Sequence, residues 1–406
     1  MKVLLLTQWF EPEPTFKGLT FAKALRDAGI EVEVLTGFPN YPIGKLYSGY
    51  KLRLMQHEMI EGIKVTRVPL YPSHDRSVLR RLANYLSFAI SALIYGGFFV
   101  RSVDVIYAYH PPLSVGAVAV VLKFLRGWRV VLDVQDLWPD TLRATGMLNN
   151  ERMLSIIGRA ASLIYRWSDV VVVLSKGFQD RLISRGVPAA KVEVIHNWAD
   201  EEKLRNCEDV VAFANSTKTS FNILFAGNIG SAQSLNVVVD AAGLLKERKS
   251  HVRFVFLGTG LEVGSLQNEV KIRDLDNVEF LPSVPMEQVG AYLKSADALL
   301  VHLRRDELFE ITIPSKTQAY MAVGKPILMA VQGEAADLVS RAACGLVAKP
   351  QDSVSLANAA DKLSKMANEE LFKMGRSGLQ FYEDELSLRV GAVKFKKVFE
   401  RAVQNN

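Results

Sequence analysis

The stretch Asn222-Ile-Leu-Phe-Ala-Gly-Asn-Ile-Gly230 decides the fold class, because a short run of buried-strand character passes directly into a glycine turn. A continuous apolar run of that length, bounded by glycine, is how a strand covered on both faces by helices is written in sequence. The design returns at residues 253–257, which stop at Gly258-Thr259-Gly260. Working outward, the alternation predicts further strands at 278–281, 298–302, 326–330 and 345–348, and helices only from Leu356 onward. Toward the N-terminus it predicts strands at 3–7, 31–36, 64–68, 103–108, 129–134, 170–174 and 192–195. Amphipathic segments separate these runs, so the chain reads as doubly wound α/β.

A chain of 406 residues exceeds what one ordinary core holds, and two domains are expected. The polar, poorly periodic stretch 196–220, with Asn-Ser-Thr-Lys-Thr-Ser at 215–220, is the candidate linker. It separates a domain over 1–200 from a second over 201–385, and a last helical segment, 386–406, is expected to pack back on the first domain. Hydrophobic residues make up 49% and charged residues 23%, which argues against both disorder and a coiled coil. The two cysteines, Cys207 and Cys344, give no disulfide framework and no metal-ligand spacing, as suits a reducing compartment. The run Val3-Leu4-Leu5-Leu6 is too short for a signal-peptide core and reads as the first strand.

The formal charge of +6 is unevenly spread: residues 1–200 carry 24 Lys and Arg against 17 Asp and Glu, and the remainder is close to neutral. With no nucleic-acid motif present, this points to an anionic partner such as phospholipid headgroups or a pyrophosphate-linked acceptor, with generic basicity as the alternative. Residues 82–100 carry no charge and are long enough to span a bilayer. Spanning is rejected, because the segment lies between two neighbouring strands of one sheet. A buried covering helix and a helix lying on a membrane surface both remain, and Arg76, Arg80, Arg81 and Arg101 at its ends favour the surface.

The segment from Phe309 to Leu328 is the richest in chemistry. Pro314-Ser315-Lys316 opens a helix with free N–H groups, a hydroxyl and a cation together, which suits a diphosphate, although a well-capped helix alone needs no ligand. Gly227-Asn228-Ile229-Gly230 and Gly258-Thr259-Gly260 fall at the carboxyl ends of strands, where open α/β sheets bind ligands. Neither a Walker loop nor a full dinucleotide fingerprint is present. Acidic residues show no metal-binding spacing.

The order of these motifs resembles the retaining glycosyltransferases of family 4, whose GT-B fold sets two Rossmann-like doubly wound domains about a central cleft. The resemblance covers nearly the whole chain and includes Tyr109-His110-Pro111-Pro112 and Ile195-His196-Asn197-Trp198. It implies an acceptor-binding first domain and a nucleotide-sugar-binding second one. Gly227, Asn228, Gln233, Gly258, Gly260, Ser315 and Thr317 would hold the donor, and His110, Glu310 and Lys316 would serve catalysis. Asp136 and Trp138 would line the acceptor side, the indole stacking on a sugar ring. Neither a metal nor a cofactor is implied.

More narrowly, Phe38-Pro39-Asn40-Tyr41-Pro42, Asp136-Leu137-Trp138-Pro139-Asp140 and Pro314-Ser315-Lys316-Thr317-Gln318 are similar to a subgroup that builds O-antigen and capsule repeat units. That subgroup includes transferases of N-acetylfucosamine-type sugars. The resemblance thus implies a hexosyltransferase-type enzyme using a UDP-sugar and an undecaprenyl-diphosphate-linked saccharide, at the inner face of the cytoplasmic membrane. Two departures stand out. The family's donor-loop Arg and Lys are replaced by Asn228 and Gln233, and its glutamate pair would fall near Ile311 and at Ala319, leaving only the neighbouring Glu310. A nucleotide-sugar epimerase of the same architecture and a noncatalytic sugar-nucleotide-binding scaffold are the rival readings.

Overall fold

The computed structural model describes every residue except 75–76, 111, 145, 206–212, 214–219 and 405–406. The chain divides into two compact units, Met1–His196 with Gly391–Asn406, and Asn197–Val390.

In the first unit the chain runs β1 (Lys2–Leu6), α1 (Leu19–Asp27), β2 (Glu31–Gly37), β3 (Gln56–Ile60), β4 (Ile63–Val68), α2 (Val78–Phe98), β5 (Val105–His110) and α3 (Leu113–Arg126). It continues through β6 (Arg129–Val134), α4 (Asp140–Ala144), α5 (Glu151–Trp167), β7 (Val170–Val173), α6 (Lys176–Ser184) and β8 (Val192–Val194). The eight strands lie in the order β3-β4-β2-β1-β5-β6-β7-β8, and all pairs are parallel except β3 with β4. The sheet's order reverses between β1 and β5, so the carboxyl end of β5, at His110, borders a topological switch point.

The second unit begins with α7 (Glu201–Arg205), β9 (Phe221–Ala226), α8 (Asn236–Glu247), β10 (Val252–Leu257), α9 (Val263–Ile272), β11 (Val278–Leu281), α10 (Met286–Ser295) and β12 (Ala298–His302). There follow α11 (Glu307–Glu310), α12 (Ser315–Val323), β13 (Ile327–Ala330), α13 (Glu334–Arg341), β14 (Gly345–Val347), α14 (Ser353–Ser364), α15 (Asn368–Phe381), a π-helical turn at Tyr382–Leu386 and α16 (Leu388–Gln404), which belongs to the first unit from Gly391 onward. Its six parallel strands are ordered β11-β10-β9-β12-β13-β14, with the reversal between β9 and β12. The core on one face of this sheet includes Phe225, Val239, Phe254 and Leu356, and Leu224, Val255, Leu299 and Met329 are buried on the other, all fully.

Three expectations need correction. The strand β3 has no counterpart in the sequence reading: its residues alternate between half-buried and exposed, and His57 and Glu58 interrupt the apolar run that marks a parallel strand. Pro326 stands outside β13, where its carbonyl accepts the Leu299 N–H at 2.9 Å. The stretch 196–220 is not wholly a linker, because Trp198, Ala199 and Leu204 are buried and α7 lies within it. It is pinned from far along the chain: the Tyr382 hydroxyl accepts the Ala199 N–H at 2.9 Å and donates to Glu201 Oε1 at 2.8 Å. Residues 215–219 of the polar tract, Cys207 and Arg76 lie outside the described residues. Cys344 is a buried free thiol whose burial pushes its pKa up to about 12.

The helix α2 buries Phe88, Ala92 and Tyr95 and exposes its other side, so it is a covering helix with one face open. Among the described residues no helix is long and apolar enough to cross a membrane.

A buried ionic cluster ties the first unit together. Lys17 Nζ lies 2.5 Å from Asp133 Oδ2, and both side chains are fully buried. The Tyr107 hydroxyl donates to the same oxygen at 2.5 Å, and Gln135 Nε2 donates to Oδ1 at 2.6 Å. Phe395 of α16 lies 4.8 Å from the ammonium and packs on Phe21 and Tyr107, so the chain's last helix completes the cluster. Removing one partner would strand a buried charge, which costs about 3–5 kcal/mol. Lys17→Met is therefore expected to lower unfolding stability by roughly that amount in urea titration, and Lys17→Met with Asp133→Asn to recover most of it.

Candidate active site

In the second unit the turns after β9 and β10 are interlocked through their backbones. Gly227 N–H donates to the Leu257 carbonyl at 2.8 Å and Ile229 N–H to the Thr259 carbonyl at 2.9 Å. Gly227 and Gly258 have φ of +133° and +145°, a region that L side chains rarely adopt. A Cβ on Gly258 would sit 2.0 Å from the Gly227 carbonyl oxygen, and one on Gly260 would sit 1.9 Å from that of Ile229. These glycines thus allow two main chains to touch at the strand ends.

Lys316 closes this corner. A Cβ on Gly227 would lie 2.8 Å from Lys316 Cε and 3.1 Å from Nζ, and the ammonium rests 3.4 Å from the centre of the Phe225 ring. Burial pushes its pKa down to about 7. The aromatic face offers a cation partial compensation, but an anion would offer far more. Ser315, beside it, is exposed at the first position of α12, where Pro314 caps without a side-chain hydrogen bond. Free N–H groups at that helix start add to the cation. Tyr320, one turn further on, braces the arrangement by accepting the Ala226 N–H at 3.1 Å.

Gln233 Oε1 accepts from Gly230 N–H at 3.2 Å and from Asn228 Nδ2 at 3.5 Å, so these residues fix the turn's shape. Thr317 is fully buried and its hydroxyl has no partner, which places it behind the helix start rather than on its open side. Glu310 stands apart from these contacts: it is exposed on the short helix α11, and its carbonyl oxygen lies against Gly333.

His302, at the carboxyl end of β12, was missed as a site residue although the strand-end rule that singled out His110 applies equally to it. Its Nδ1 lies 2.7 Å from the Gln233 carbonyl, which only accepts, so Nδ1 carries the proton. Nε2 is left as a buried acceptor without a partner, and burial holds the ring neutral down to about pH 4.

In the first unit, His110 is fully buried at the end of β5, with neither ring nitrogen hydrogen-bonded, and burial lowers its pKa to about 4. Trp138 meets it edge-on at 6.2 Å and Tyr165, which the sequence did not single out, at 6.4 Å. Asp136 is half-buried two residues from Trp138, and its carboxyl is raised by burial. A further residue missed in the sequence, Glu13, organises the Phe38–Pro42 motif. Its Oε1 accepts the N–H groups of Asn40 and Tyr41 at 2.7 Å each, and Oε2 accepts that of Phe10 at 3.2 Å. Burial outweighs these bonds and raises its pKa to about 7. Among the described residues no group of three His, Cys, Asp or Glu side chains could hold a metal ion.

Residues 19–198 match the family described as a glycosyl transferase 4-like domain, and residues 209–380 match the glycosyl transferases group 1. A protein of Escherichia coli K12 described as a colanic acid biosynthesis glycosyl transferase, WcaI, is 29% identical over 80% of this chain and 82% of its own length. One of Pseudomonas aeruginosa described as a glycosyltransferase, WbjE, is 26% identical over 66% of this chain and 68% of its own. Among solved structures, Anabaena HepE with UDP and glucose superposes with a TM-score of 0.68 at 17% identity, covering 98% of this chain and 99% of that one. The Escherichia coli trehalose-6-phosphate enzyme with UDP-2-fluoroglucose gives 0.71 at 12% identity, covering 99% of each. With both halves matched in order and two α/β units with mainly parallel sheets in place, the chain belongs to the family 4 glycosyltransferases of GT-B fold.

Proposed function

We propose that this glycosyltransferase moves a hexose-type sugar, an N-acetylated amino-deoxy hexose by its subgroup motifs, from UDP to a lipid-linked saccharide with retention at the anomeric carbon. The product would be a repeat unit of an O-antigen, capsule or exopolysaccharide, and the relatives described as colanic acid and amylovoran enzymes support that setting. The observation that carries the reading is the half-buried Lys316 ammonium packed against the Gly227 turn, at the carboxyl ends of β9 and β10. HepE, of the same fold, is described with UDP and with UDP-glucose, which favours the uridine donor.

Departure of a nucleoside diphosphate builds negative charge on the phosphates, and fixed donors aimed there stabilise it more than a strong base would. Lys316, the N–H groups at Ser315 and the Gly227-Asn228 turn are the donors at hand. Since Lys316 stands where no family cation remains in the loop, it supplies the positive charge that Asn228 and Gln233 lack. His110, neutral above about pH 4, suits a hydrogen bond to a hydroxyl better than proton transfer. Asp136 and Trp138 are the acceptor-side candidates. The lipid-linked acceptor is supported by the open apolar side of α2 and by the basic first half of the chain, which together fit work at the inner surface of the cytoplasmic membrane.

The test is UDP release from a panel of UDP-sugars, with and without an undecaprenyl-diphosphate-linked saccharide. Release that depends on the acceptor, survives EDTA and leaves the donor's anomeric configuration in the product is expected. Inversion, a magnesium requirement, or a donor epimerised without acceptor would refute the corresponding part. Lys316 also sets a pH dependence. Its ammonium is present well below pH 7, and a bound diphosphate raises its pKa, so kcat/KM for the donor should be flat in mild acid and fall up to about tenfold per unit above pH 7. Lys316→Gln is expected to lower kcat/KM by about 10²–10³ and to flatten that profile.

A further inference from the structure

The helices α2, α3 and α5 form one layer on the sheet of the first unit, with α3 touching both of the others. The layer is clamped where these helices end. Arg126 of α3 donates from Nη1 to the Gly97 carbonyl at 2.6 Å, and Lys123 donates to the Trp167 carbonyl at 2.9 Å. Phe124 meets the Trp167 ring edge-on at 5.9 Å. Leu122 packs so closely on α2 that a Cβ on Gly96 would lie 2.7 Å from its Cδ1.

The outer side of this layer is apolar along all three helices. On α2, Leu82, Leu86, Ile90, Ile94 and Phe98 recur at four-residue steps and are exposed, Phe98 to 80%. Phe124 and Leu125 of α3 are 67% and 64% exposed, and α5 adds Ile156, Leu163 and Trp167. Cations are set into this surface: Arg152, Arg159 and Arg166 are all exposed on α5, one heptad apart beside its apolar row. No Asp or Glu occurs on α2 or α3, and the single acid of α5, Glu151, is paired with Arg143 at 2.6 Å.

We infer that the α2–α3–α5 layer as a whole, and not α2 alone, is a membrane-binding face that seats in the headgroup region of an anionic bilayer. The inference extends the membrane contact proposed above from one helix to three, and to a role for the α5 arginines. A 21-residue helix lying in the membrane plane offers about 30 Å of apolar contact, and arginines beside it snorkel to phosphates. A second copy of this chain fits the face poorly, because a two-fold contact would oppose the same arginine row to itself.

The test is flotation of the full chain with vesicles of phosphatidylcholine, alone or mixed with phosphatidylglycerol, without donor or acceptor so that the result is independent of turnover. Binding to the mixed vesicles that weakens with salt is expected. At about fivefold per charge, Arg152→Gln, Arg159→Gln and Arg166→Gln together should weaken it by about a hundredfold. Phe124→Ser with Trp167→Ser should also release the protein, with circular dichroism checking that the fold is kept. As a second readout on the unaltered surface, brominated lipid should quench a fluorescence component that Trp167→Phe removes. Equal binding to neutral vesicles, no binding, α5 variants that bind like the parent, or a solution dimer that shields Trp167 would each overturn the inference. If Leu86→Ser with Ile90→Ser alone abolishes binding, only the narrower α2 contact survives.

Discussion

An ammonium group drawn partly out of water, with no carboxylate paired to it among the described residues, is the constraint on which the second unit turns. Lys316 can stay where it is only because Gly227 has no side chain and because the Phe225 ring offers a negative face. The Gly227 turn in turn keeps its place because Gly258 lets the neighbouring strand end come into backbone contact. Phe225, Gly227, Gly258 and Lys316 are therefore one device. A half-buried cation with its pKa brought down to about 7 is energetically unsatisfied in a way that an incoming phosphate relieves. Asn228 and Gln233 hold the shape of the loop through the Gln233 amide oxygen, and Lys316 at the helix start brings a cation to it.

The first unit handles polarity differently. Lys17, Asp133, Tyr107 and Gln135 satisfy one another in the core, and Phe395 covers them, so that polar cluster is structural. His110 is the opposite case: fully buried at a strand end by the switch point, framed by Trp138 and Tyr165, with both ring nitrogens unpartnered. Buried polar atoms without partners are uncommon in native proteins and often mark places where a ligand supplies the missing bond. His302 has the same character in the second unit, anchored through Nδ1 and open at Nε2.

Much of the fold was legible because parallel strands covered on both faces must be continuous apolar runs, and runs such as 3–6 and 170–173 can belong to little else. The antiparallel strand β3 was not, since it lies at the sheet's edge and its half-exposed residues carry no such mark. The folded part of 196–220 was hidden because its anchor, Tyr382, is remote in sequence. At the site, the strand-end glycines and the Pro-Ser-Lys helix start were readable from local chemistry. The half-burial of Lys316 against an aromatic ring was not, for it depends on Phe225 in β9, remote in sequence; nor was the burial of Thr317, which the helix phase alone does not fix. Glu13 gave no signal at all, since a carboxylate that binds backbone amides looks in sequence like any surface acid.

The central claim is that Lys316 and the Gly227 turn receive a diphosphate. A crystal structure of the protein with UDP tests it most directly. Phosphate oxygens are expected within hydrogen-bonding reach of Lys316 Nζ and of the N–H at Ser315, with the ammonium drawn off the Phe225 ring toward them. UDP bound with its phosphates elsewhere, and Lys316 still resting on Phe225, would contradict it.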